Sequence, residues 1–66
     1  MMEHDQRLVT IRAMQAFGGS FVKSLAATWL LADKSNSDKI EAAFSEYIEK
    51  YGPGSPQYQR MSEVEA

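Results

Sequence analysis

The sequence predicts an all-α fold: a small domain of three helices, in which a helical hairpin follows an N-terminal helix. Three observations lead to it. Apolar residues recur at three- and four-residue intervals through most of the chain from Leu8 to Tyr51. Helix start and stop residues interrupt that pattern at Asp5, at Gly18-Gly19-Ser20, at Ser35 to Asp38 and at Gly52-Pro53. The length, 66 residues with 44% hydrophobic and 24% charged, suits one small domain and no more.

The first helix is expected from Asp5, as cap, to Phe17, with residues 1–4 loose. Leu8, Ile11, Met14 and Phe17 form its apolar face, joined by Val9, Ala13 and Ala16, while Arg7, Arg12 and Gln15 take the wet side. A short strand is the alternative here, because Val9, Thr10 and Ile11 are β-branched and lower the helix propensity. The glycine pair Gly18-Gly19 can adopt positive φ, which a β-branched residue at Gly19 would resist, and this helix should end or bend there.

Ser20 then stands where an N-cap belongs, and a second helix follows to about Asp33. Phe21, Val22, Leu25, Ala26, Trp29, Leu30 and Ala32 are its apolar positions, and Ala27 and Leu31 extend the apolar surface nearly all the way round. Only Lys23, Ser24, Thr28 and Asp33 look wet. A helix of this kind is normally covered on more than one side, so the remaining helices are expected to pack around it.

A third helix is expected over residues 36–51, capped by Ser35 or Ser37. Its apolar face is Ile40, Ala43, Phe44, Tyr47, Ile48 and Tyr51; Glu41, Ser45, Glu46, Glu49 and Lys50 face water, with Glu46 and Lys50 spaced as an i, i+4 pair. Short connections make neighbouring helices antiparallel, so Leu25 and Trp29 should face Phe44 and Ile48. Residues 1–54 thus form the helical domain. After Gly54 no period persists, and residues 55–66 are expected as an extended or partly disordered tail that docks at most Tyr58, ending in disorder or a short frayed helix.

Charge and composition narrow the functional classes. The formal net charge is −2: residues 1–34 carry four bases against three acids, and residues 35–66 three bases against six. No basic stripe suited to duplex nucleic acid is present. There are no cysteines and one histidine, His4, so disulfides and thiolate metal sites are excluded and no metal or other cofactor is expected. The apolar runs are too short to span a bilayer. The start, Met1 to Asp5, lacks the basic and apolar regions of a secretory signal, so a cytoplasmic protein is expected.

Three groups of residues are candidates for function. Gly18, Gly19 and Ser20 open a helix whose free amides and dipole attract anions; Lys23 one turn on and Arg12 from the preceding helix add charge for a small phosphorylated ligand. The spacing is not that of a phosphate loop, and a tight turn between packed helices is the simpler reading. Phe21, Trp29, Phe44, Tyr47 and Tyr51 suit an aromatic box, although rings at helical spacing belong first to a core. Phe21, Leu25, Trp29, Leu30, Phe44, Tyr47 and Ile48 are therefore assigned to the core and to a homo-oligomer contact, most simply a twofold dimer, because so apolar a helix has little else to cover it. Glu46 and Glu49 share a solvated face, and no nucleophile, base and oxyanion donor stand in a fixed relation, so no catalytic residue is assigned.

The segment Phe17-Gly18-Gly19-Ser20-Phe21-Val22-Lys23-Ser24-Leu25-Ala26, then Trp29, Ala32-Asp33, Asn36, Ile40 to Phe44, Tyr47 and Tyr51, resembles a family of very small accessory proteins of tailed phages and prophages. The likeness runs from about Met14 to Tyr51. It implies a shared fold and a phage accessory product acting in the bacterial cytoplasm, and it carries over no activity and no functional residue. The expected function is non-enzymatic: a module that binds and inhibits a host protein, such as a defence protein. Alternatives are an oligomeric sponge for a nucleotide-like molecule and a minor virion or assembly component.

Overall fold

The computed structural model describes residues 2–65, and over these the chain forms five α-helices: α1 His4–Phe17, α2 Ser20–Leu31, α3 Lys34–Ala43, α4 Ser45–Tyr51 and α5 Pro56–Glu65. The all-α class is as expected. The number of helices is not, for two reasons. The expected third helix is broken at Phe44, and the expected tail is itself a helix; Ala66 lies outside the described residues.

Helix α1 begins earlier than Asp5. Glu3 is the capping residue, and its backbone N–H donates to Gln6 Oε1 at 3.1 Å, one arm of a reciprocal capping box. The buried stripe of α1 is Thr10, Ile11, Ala13 and Met14, with Leu8 and Val9 half-buried and Phe17 exposed. Thr10 is fully buried because its hydroxyl donates to the Gln6 carbonyl at 2.7 Å, leaving the methyl group to pack. The β-branched run is therefore helical. Its local preference is outweighed by burial of Thr10 and Ile11 against neighbouring helices.

The glycine pair turns the chain without positive φ. Gly18 (φ −81°, ψ 163°) and Gly19 (φ −80°, ψ −171°) are both extended. Gly18 is required for a different reason: a Cβ built there falls 2.6 Å from the Met14 carbonyl oxygen and runs into the Val22 side chain. Around Gly19 there is open space. The turn is thus set by close approach of α1 and α2 at Gly18, and the expectation of a strained Gly19 is corrected.

Helix α2 buries one stripe, Val22, Leu25, Ala26 and Trp29, against α1. Phe21, Leu30 and Leu31 stay exposed outside that stripe, and α2 is not the hub around which the remaining helices are expected to pack. That place belongs to α1, which meets α2, α4 and α5, whereas α3 meets α2 and α4. Asp33 ends the α2–α3 connection as the cap of α3, accepting from the Asn36 N–H at 2.8 Å; neither Ser35 nor Ser37 caps. At Phe44 the backbone leaves helical geometry (φ −119°, ψ 33°) and resumes at Ser45. The break lets α3 follow α2 while α4 turns Ile48 and Tyr51 into the core.

Helix α5 has its own start signals. Gly54 adopts φ +93°, a conformation suited to glycine. The Ser55 hydroxyl donates to the Gly52 carbonyl at 2.7 Å and accepts from the Tyr58 N–H at 3.1 Å, and Pro56 occupies the first helical position, where its missing N–H is not needed. The helix lies on α1 and α4, with Met61 packed against the core and the Arg60 guanidinium 5.8 Å from the Phe17 ring centroid.

Candidate functional site

The chemistry-bearing residues fall in three places. At the α1–α2 corner, Gly19 caps α2 without any side-chain hydrogen bond, and Ser20 is the first helical residue, so the proposed Ser20 cap is corrected. The first-turn amides of α2 consequently have no side-chain acceptor from the cap. Lys23 is exposed one turn along, its own N–H donating to the Gly19 carbonyl at 2.9 Å. Arg12 is exposed on α1 six residues before Gly18, about 9 Å up the helix axis. Of the two cations expected to serve the corner, Lys23 is within a turn of its amides in the sequence of α2 and Arg12 is further off on α1.

The second place is a polar chain across three helices. The Trp29 ring, 1% exposed, donates from Nε1 to Ser37 Oγ at 2.8 Å. Ser37 Oγ donates onward to Glu41 Oε2 at 3.2 Å, and that oxygen lies 3.6 Å from Arg7 Nη2. Arg7 and Glu41, both expected in water, are three-quarters or more buried, at 23% and 17% side-chain exposure. Arg7 Nε is buried without a hydrogen-bond partner. A half-open cleft of about 460 Å³ borders this chain, lined in part by Met2, Arg7, Leu8, Trp29, Leu30 and Lys34. The chain aligns α1, α2 and α3; its hydroxyl is engaged on both sides. Sequence reasoning missed it because Ser37 looks like any polar residue at a helix start, and no periodicity signals a serine under a tryptophan.

The third place is the surface that α2 turns away from α1. Leu25, Trp29 and Ile48 are core residues as expected, and Phe44 is half-buried against them. Phe21, Leu30 and Tyr47, expected in the core and the homo-oligomer contact, are not part of the core of one chain: they are 54%, 51% and 40% exposed, and Leu31 is 86% exposed. The reason is geometric: the α2 stripe facing α1 is filled by Val22, Leu25, Ala26 and Trp29, so Phe21, Leu30 and Leu31, lying off that stripe, are only partly covered by the other helices. At the N-terminal end of α2, Phe21 packs edge-on against Phe44 and Tyr47, with ring centroids 6.1 and 5.3 Å away. Exposed Lys23, Glu46, Glu49 and Lys50 belong to the same helices α2 and α4. At the other end, a depression of about 360 Å³ between α2 and α3 is lined by Thr28, Leu31, Ala32, Asn36, Lys39 and Ile40.

Among the described residues no group of three histidine, aspartate or glutamate side chains is placed to hold a metal ion, and no helix is long and apolar enough to cross a membrane. Comparison of the chain with protein-family models, with curated proteins and with solved structures finds no match.

Proposed function

We propose that this chain is a non-enzymatic phage accessory protein which, as a homo-oligomer in the bacterial cytoplasm, binds and inhibits a host protein. The observation that carries the reading is the aromatic patch of Phe21, Phe44 and Tyr47. Two of its three rings stand 54% and 40% exposed, in mutual edge contact, on two helices that also carry charged residues of both signs. Aromatic groups within a polar rim are the usual composition of the energetic centre of a protein interface. Rings held by each other keep few rotamers, so little side-chain entropy is lost when a partner covers them. The phage origin rests on the resemblance of the segment from Met14 to Tyr51.

The test is recovery of the tagged chain from infected cells after brief cross-linking, alongside Phe21→Glu. The reading expects a host protein at constant ratio with the unaltered chain and its loss with the variant, whose helical content is checked by circular dichroism. Recovery of the same proteins with both chains, or of none with either, would refute it.

A further inference from the structure

We infer that the cleft between the start of α1, the end of α2 and the start of α3 binds a small organic monocarboxylate, its carboxylate on the Arg7 guanidinium and its apolar body along Leu8 and Leu30. Phe21, Phe44 and Tyr47 do not line this cleft, so the inference is independent of the protein-binding reading above.

Three helices build the cleft: Arg7 and Leu8 come from α1, Trp29 and Leu30 from α2, and Lys34 and Ser37 from α3. Its volume of about 460 Å³ falls within the range of about 300–1,000 Å³ usual for small-molecule sites. Arg7 is the anchor. A guanidinium has five N–H donors in a planar fork that matches a carboxylate. Here the fork is poorly used. Nε is buried without a protein partner, and Nη2 stands 3.6 Å from Glu41 Oε2, an ion pair longer than a hydrogen bond. The Arg7 side chain lines the cleft and is 23% exposed, so a carboxylate entering there has access to it.

The polar chain behind the cleft fixes this donor. The Trp29 ring holds Ser37 at 2.8 Å, Ser37 holds Glu41 at 3.2 Å, and Glu41 faces Arg7 without saturating it. A donor already held in place loses little side-chain entropy when a ligand arrives. Ser37 is engaged on both sides, so the orienting role falls to Arg7.

Charge and polarity select the ligand class. In the lining, Arg7 and Lys34 stand against Asp33, two formal positive charges to one negative with His4 neutral. The Asp33 carboxylate already accepts from the Asn36 N–H at 2.8 Å. One charge in excess suits a monoanion. A phosphate dianion would also feel Glu41 behind Arg7, and Asp38, which pairs with Lys34 at 3.4 Å. Met2 and Leu8 are half-buried and Leu30 is 51% exposed, an apolar wall that a hydrocarbon body covers and a hydrated inorganic ion leaves bare.

The experiment titrates phenylacetate, its uncharged analogue phenylacetamide and inorganic phosphate into the isotope-labelled full chain, read by amide NMR shifts at fixed pH and ionic strength. Phenylacetate should move the Arg7, Leu8, Leu30 and Lys34 signals saturably with a dissociation constant below about 1 mM, and phenylacetamide should bind at least about tenfold more weakly. Arg7→Gln should weaken phenylacetate at least about tenfold and leave phenylacetamide unchanged, a split that a merely structural role would not produce. Leu30→Ser, outside the buried stripe of α2, should weaken both ligands alike and keeps the test decisive if Arg7→Gln disturbs the fold. The inference is overturned if these four signals show no saturable shift, if acid and amide bind equally, or if phosphate binds as tightly as phenylacetate.

Discussion

At the scale of single residues, the chain from Trp29 through Ser37 and Glu41 to Arg7 carries side-chain hydrogen bonding between helices, whereas the buried Thr10 hydroxyl is satisfied within α1. An indole buried to 1% exposure must find an acceptor for its N–H, and here the acceptor comes from a helix eight residues further on. Removing it by Ser37→Ala leaves a buried donor without a partner, at a cost of about 1–3 kcal/mol. In a Trp29→Phe background there is no N–H to strand, so the same serine change should cost less. The double variant measured by urea denaturation, with the slope checked for constancy, is expected to lose less stability than the sum of the single variants. Strict additivity would mean that the bond contributes nothing. Arg7 and Glu41 add little to this by themselves, since their 3.6 Å separation is a loose pairing of partly buried charges.

At the scale of elements, helix ends and breaks in this chain are decided by different forces from place to place. Asp33 caps α3 through its side chain, Ser55 prepares α5, and Gly19 leaves α2 without a side-chain cap. The two glycines of the α1–α2 corner look equivalent in sequence and are not. Gly18→Ala should destabilise by about 1–3 kcal/mol, because the new methyl group would overpack against Val22 and the Met14 carbonyl, neither of which is the loose end of a long side chain. Gly19→Ala meets nothing and keeps an ordinary φ, so it should change stability by less than about 0.5 kcal/mol or raise it by up to about 1 kcal/mol through the unfolded state. Thermal unfolding separates the two outcomes, each kcal/mol being worth about 4–8 °C in a domain this small. Equal losses at both positions would contradict the close approach placed at Gly18.

At the scale of the whole molecule, α1 is held between α2 on one side and α4 and α5 on others, so the last helix helps to close the core. Tyr58 and Met61 on α5 are half-buried, and Met61 packs against the cluster that includes Ile11, Met14 and Trp29. Deleting residues 56–66 exposes that side of α1. Losing two half-buried side chains corresponds to about 2 kcal/mol on the scale of apolar transfer. Domains of this length own only about 5 kcal/mol in all, so the melting temperature should fall by roughly 8–16 °C. An unchanged melting temperature would mean that α5 rests on α1 without stabilising it.

The sequence by itself determined the all-α class, the positions of α1 and α2 to within a few residues, the stop at Gly52 and the burial of Leu25, Trp29 and Ile48. These are legible because helical periodicity and terminal residues act locally, over one or two turns. The tertiary structure alone decided which of two faces of α2 is covered, that the chain bends at Phe44, and that the segment after Gly54 is a helix worth burying. Apolar pattern shows that a side chain favours burial but not whether a partner helix is there to receive it. Phe21, Leu30 and Tyr47 read as core or oligomer contact and Leu31 as an extension of the apolar surface, yet each remains in contact with water because α1 can meet only one stripe of α2, and the break at Phe44 leaves Tyr47 outside. The candidate binding surfaces are therefore written in the sequence as surplus hydrophobicity, and their location follows from how five helices divide one small core.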